Sequence, residues 1–160
     1  MSVLGELQPN KVFKYFEEIC SIPHGSRNLQ QISDYLVDFA KAHELKYRQD
    51  EDLNVIIWKD GSKGYEASEP VILQGHMDMV AVKEADCDKD MEKEGLDLEI
   101  NGDYISAKGT SLGGDDGIAV AYTLAVLDDE EMAHPPIEAI FTWILKTKEC
   151  LQSAVQVEHP

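Results

Sequence analysis

The chain has 160 residues, 43% hydrophobic and 28% charged, enough for one ordinary globular domain with a real core. Its 14 lysines and arginines face 31 aspartates and glutamates, a formal net charge of -17 that argues against nucleic acid or an anionic membrane as partner. Cys20, Cys87 and Cys150 are odd in number and widely spaced, so a reducing cytoplasm is expected rather than a disulfide framework.

The first residues lack the basic segment and apolar run of a signal peptide. The longest apolar stretch, around residues 119–127, is too short to span a bilayer, so a soluble protein is expected. After Pro9 and Asn10, the residues Val12, Phe13, Phe16, Ile19 and Cys20 recur at steps of three and four, which predicts a helix. Pro23 and Gly25 break it. A second helix carries Ile32, Leu36, Phe39 and Ala40 on one face, with Ser26 or Asn28 as its expected cap. Residues 46–49 and 54–58 look extended; Val55-Ile56-Ile57-Trp58 is β-branched, aromatic and contiguous, which suits a buried strand. Residues 61–68 form a polar turn region, and residues 71–74 are the next buried strand. Residues 83–95 are acidic and without period, a long surface loop. Residues 96–100 and 104–107 flank Asn101-Gly102, a strong hairpin signal. A well-buried helix over 116–127 and a strand over 137–142 follow. Strands alternating with helices imply an α/β domain around a central sheet, and no internal repeat or linker divides it.

Two segments carry chemistry. The apolar run at Val71 ends in Gln74-Gly75-His76-Met77-Asp78, and the two-residue period of a strand puts His76 and Asp78 on one side. A histidine in this position is more often structural than a ligand. Two features favour the ligand: ligand sites of open α/β sheets lie at such strand ends, and a nearby carboxylate can support a metal-bound imidazole. The second segment is Gly113-Gly114-Asp115-Asp116-Gly117, just before the third helix. Either aspartate can be a simple helix cap; Asp116, next to the helix, is the better cap, which leaves Asp115 freer to meet a metal.

Both segments resemble those of the aminoacyl-histidine dipeptidases, the cytosolic non-specific dipeptidases of the co-catalytic dizinc metallopeptidase superfamily. Upstream, Pro9, Val12, Phe13, Tyr15, Phe16, Glu17 and Ile19, then Ile22 to Ser26, and later Asp52, Asn54 and Val55, match that family's N-terminal region. The likeness covers about residues 5–142. It implies an incomplete zinc-exopeptidase-like catalytic domain with a central mixed sheet flanked by helices. His76 resembles the histidine that ligates one zinc, Asp115 the aspartate that bridges two zinc ions, and Asp78 the catalytic-site carboxylate that orients the imidazole. Asp116 takes a helix-start role, and Gly114 stands where the family is expected to carry alanine. The implied reaction is zinc-dependent hydrolysis of dipeptides, Xaa-His and broader. The parent's partner would be its dipeptide substrate, with a homodimer built through a smaller second domain.

The pattern fails after Thr142. There the family carries two adjacent glutamates, one the general base and the other a zinc ligand. Here Trp143-Ile144-Leu145-Lys146-Thr147-Lys148 follows, and Glu149 stands alone. Residues 1–142 are therefore taken as the N-terminal part of the catalytic domain and residues 143–160 as a non-matching tail, either shifted out of frame with it or a naturally divergent or deliberately shortened C-terminus. Codons for residues 143–150, read in a shifted frame, can spell an acidic run ending in Gly-Met. The expectation is a fragment without appreciable peptidase activity, weak in zinc binding, and with exposed apolar surface prone to aggregate. The competing expectations are a non-catalytic acidic binding module and a fragment of a related dizinc aminotripeptidase or deacylase.

Overall fold

The computed structural model describes residues 2–143. In chain order these form α1 (Asn10–Cys20), α2 (Gln30–Ala42), β1 (Lys46–Gln49), β2 (Val55–Lys59), β3 (Val71–His76), β4 (Leu98–Asn101), β5 (Tyr104–Ala107), α3 (Gly114–Leu127) and β6 (Ile137–Thr142). The first helix buries Val12, Tyr15, Phe16, Ile19 and Cys20, the stripe its periodicity predicts. The second buries Ile32, Leu36, Phe39 and Ala40 in the same way. Their faces meet through Tyr15 and Phe39, edge to face at 5.5 Å between ring centres.

Four strands make one mixed sheet in the order β1-β2-β6-β3. Strand β2 runs antiparallel to β1 and to β6, whereas β3 runs parallel to β6. Alternate residues Val55 and Ile57 of β2, and Ile137, Ala139 and Phe141 of β6, enter one core cluster with all three helices. Helix α2 packs on β1 and β2, α3 on β3, and α1 on α3. This is the expected α/β arrangement, a central mixed sheet flanked by helices. No described helix is long and apolar enough to cross a membrane.

Three local expectations change. Residues 71–74 are not buried: β3 lies at the sheet edge, and Val71 and Ile72 are 44% and 57% exposed. The hairpin pairs Asn101 with Tyr104, so its turn residues are Gly102 and Asp103, one position beyond the predicted pair. Gly102 takes φ +62, the left-handed conformation that such turns require and glycine adopts without strain. Neither Ser26 nor Asn28 caps α2, which starts after Leu29 without a side-chain cap. Ser26 instead reaches Asp78, and Asn28 donates to the Glu92 carbonyl at 2.8 Å.

Candidate metal centre

The parallel pairing of β3 with β6 sets His76 opposite Thr142 at the ends of both strands. Met77 N–H donates to the Thr142 carbonyl at 2.7 Å and Met79 N–H to the His24 carbonyl at 3.0 Å, which fixes the chain immediately after His76. Helix α3 supplies the other side. Its first residues are not helical: Asp115 has φ -94 and ψ 105, and Asp116 has φ -115 and ψ 22. The chain enters this segment through Gly113 at φ +72, where a Cβ would lie 2.9 Å from the Met79 sulfur. Only glycine satisfies both the backbone and that approach.

His76 is held from three directions. Its backbone N–H donates to Asp116 Oδ2 at 3.2 Å, so the aspartate at the helix start spends a carboxylate oxygen on the strand end. Its Nδ1 lies 2.9 Å from the Asp78 carbonyl and 3.6 Å from Asp78 Oδ1. A carbonyl only accepts, so Nδ1 carries the proton and the ring presents Nε2 outward. That Nε2 lies 3.2 Å from Asp115 Oδ1. The Asp78 side chain is fully enclosed, while that of Asp115 is 97% exposed. His24, beside this pair, is buried, and burial pushes its imidazole below the usual histidine range.

The structure brings together all three residues singled out in the sequence. The separation of Nε2 and the Asp115 oxygen fits zinc: two donors about 2.0–2.1 Å from a tetrahedral ion lie about 3.3 Å apart. A neutral imidazole nitrogen and a carboxylate are also a suitable donor set for that ion. Among the described residues, no group of three or more His, Cys, Asp or Glu side chains converges as a metal cage. Cys20 adds nothing, since burial pushes its thiol up to about 12 and keeps it protonated. Trp143 follows Thr142 directly, beside the end of β3, where the sequence resemblance leads into an acidic run containing two adjacent glutamates. Glu149 and the two lysines before it lie outside the described residues.

No family model matches the chain. A cytosol non-specific dipeptidase from Escherichia coli is 40% identical over 142 residues, 89% of this chain and 29% of that protein. An aminoacylhistidine dipeptidase from Vibrio alginolyticus superposes with a TM-score of 0.86 at 37% identity, over 91% of this chain and 30% of its own. Over these residues the chain is similar to aminoacyl-histidine dipeptidases. It spans less than a third of the length of these two relatives. The fold also occurs in a tripeptidase from Staphylococcus aureus, TM-score 0.67 at 22% identity, and in an aminopeptidase from Bacillus cereus, TM-score 0.68 at 19% identity. Within the dipeptidase likeness, the sequence pattern missed two contacts, from Ser26 to Asp78 and from Asp116 to the His76 N–H. Both join residues 40 or more positions apart, and neither leaves a local signal.

Proposed function

We propose that residues 1–142 are part of the catalytic domain of a dizinc dipeptidase of the cytoplasm. In this reading His76 and Asp115 are zinc ligands and Asp78 orients the His76 ring. The observation that carries it is the 3.2 Å approach of His76 Nε2 to Asp115 Oδ1 at the C-terminal edge of the sheet. Bound zinc would supply Lewis-acid polarisation of a peptide carbonyl and activation of water. The chain's own part is positional. Asp116 fixes the His76 backbone, the Asp78 carbonyl holds the Nδ1 proton, and the enclosed Asp78 carboxylate stabilises positive charge on the ring.

The full protein's substrates would be dipeptides, Xaa-His among them. The 160-residue chain is proposed to bind zinc weakly and to lack appreciable peptidase activity, because catalytic zinc takes three protein ligands besides water. Residues 143–160 are proposed to lie outside the catalytic domain.

The test is a chimera in which residues 1–142 replace the matching segment of the Escherichia coli relative. Zinc-dependent cleavage of a dipeptide by the chimera, lost on His76→Ala, is the expected result. A folded, zinc-loaded chimera that cleaves nothing would overturn the reading. Zinc-dependent cleavage by the 160-residue chain itself would overturn the proposed inactivity.

A further inference from the structure

We propose that Ser26 is a positioning residue of the metal centre: its hydroxyl anchors the Asp78 carboxylate and thereby sets the orientation of His76. The inference rests on reading His76 as a metal ligand, as above. Ser26 Oγ lies 2.5 Å from Asp78 Oδ2 and 3.2 Å from the Met79 carbonyl. A hydroxyl has one proton, and the shorter contact is in the range of a charge-assisted O–H···O⁻ bond, so the proton goes to the carboxylate. Asp78 needs such donors, because its side chain is wholly enclosed and a buried carboxylate costs free energy unless hydrogen-bonded. Ser26 itself is exposed and has water available, so its own burial does not force the bond.

The backbone around Ser26 is built to deliver that hydroxyl. Ser26 N–H donates to the Met79 carbonyl at 3.0 Å, Met79 N–H to the His24 carbonyl at 3.0 Å, and Gly25 bridges Met79 in parallel. Residues 24–26 therefore lie alongside the chain that leaves β3. A Cβ on Gly25 would come within 2.9 Å of the Ala81 Cβ, so the approach depends on glycine there. Asp78 in turn faces His76 twice: its carbonyl accepts from Nδ1 at 2.9 Å, and its Oδ1, at 3.6 Å from the same nitrogen, acts on it through charge alone. Turning the Asp78 carboxylate would change the surroundings of the Nδ1 proton, and with them the direction in which Nε2 points. The serine thus acts on the ligand through the aspartate, without touching the ring.

The experiment uses the full 160-residue chain as wild type, Ser26→Ala, Ser26→Thr and His76→Ala. Two quantities are measured: the His76 tautomer in metal-free protein, from imidazole nitrogen NMR, and zinc affinity by competition with a chelating dye. Expected is the same tautomer balance in wild type and Ser26→Thr, and a balance shifted away from Nδ1–H in Ser26→Ala. Zinc affinity is expected to fall about tenfold in Ser26→Ala and to be kept by Ser26→Thr. An unchanged tautomer in Ser26→Ala would overturn the proposal, even if thermal stability dropped, because a hydroxyl that only packs leaves the ring alone. Zinc binding that ignores His76→Ala would instead sink the ligand reading, and the metal-free tautomer would still decide the role of Ser26.

Discussion

The strand end that carries His76 depends on two small-scale fits. Gly75 faces α3, and a Cβ there would sit 3.1 Å from Asp116 Oδ2 and 3.4 Å from Val120 Cγ2. Asp116 uses that same oxygen to accept the His76 N–H. Gly75→Ala is therefore expected to cost about 1–3 kcal/mol, the usual range for an overpacked contact. Asp116→Ala is expected to cost about 1.5–3 kcal/mol, the range for a hydrogen bond to a charged group. Because both changes act on one oxygen, the double variant should lose less than the sum, and urea unfolding of the four proteins measures the coupling. Additive losses would mean that the two residues do not share the contact. At this scale the sequence showed which side chains meet but not all that they do. His76 and Asp78 stayed close, as their spacing implied, although β3 ends at His76 and Asp78 lies beyond it. Asp116 lies in the first turn of α3 but is not the cap expected of it: Gly113 takes the cap position, and the Asp116 carboxylate accepts from the strand instead.

Helices and strands were legible where their apolar pattern reports local packing. Strands β1 and β6 fall on the predicted residues, and α1 and α2 bury the predicted stripes. The position of β3 was not legible, since an apolar run marks a strand without saying which neighbours it finds. Strand β6, 61 residues after the end of β3, takes the inner place beside β2 and leaves β3 at the edge. An exposed apolar edge strand invites pairing with other chains. Ile72→Lys, on the most exposed apolar residue of β3, is expected to suppress association in light scattering while shifting the unfolding midpoint little. Association that is unchanged would move the liability elsewhere.

The segment before α1 is tied to it by Glu17, whose carboxylate accepts from Ser2 Oγ at 2.6 Å and from the N–H groups of Val3 and Leu4 at 2.6 and 3.2 Å. Burial raises the Glu17 pKa, but these hydrogen bonds outweigh it and the net shift is downward. A carboxylate with a depressed folded pKa contributes stability that is present above its unfolded value, about 4.3, and lost as pH falls through the folded one. Exchange of the Leu4 amide is thus expected to accelerate on acidification below that ordinary glutamate range, beyond the intrinsic pH dependence. Glu17→Gln should remove this extra acceleration, and equal behaviour of the two proteins would refute the assignment.

For the whole molecule, the net charge of -17 and the single core are properties of composition, and both were readable at once. The likeness to dipeptidases over 89% of this chain covers under a third of the Escherichia coli relative, so the described fold accounts for only part of such a protein. Two donors, His76 and Asp115, converge, and no larger cluster forms among the described residues. These two side chains are proposed to form part of a zinc site, and calorimetric titration of zinc into the 160-residue chain is the test. Weak, saturable binding by the wild-type chain, abolished by both His76→Ala and Asp115→Asn, is expected. Binding indifferent to both substitutions, or no saturable binding by the wild-type chain, would contradict it.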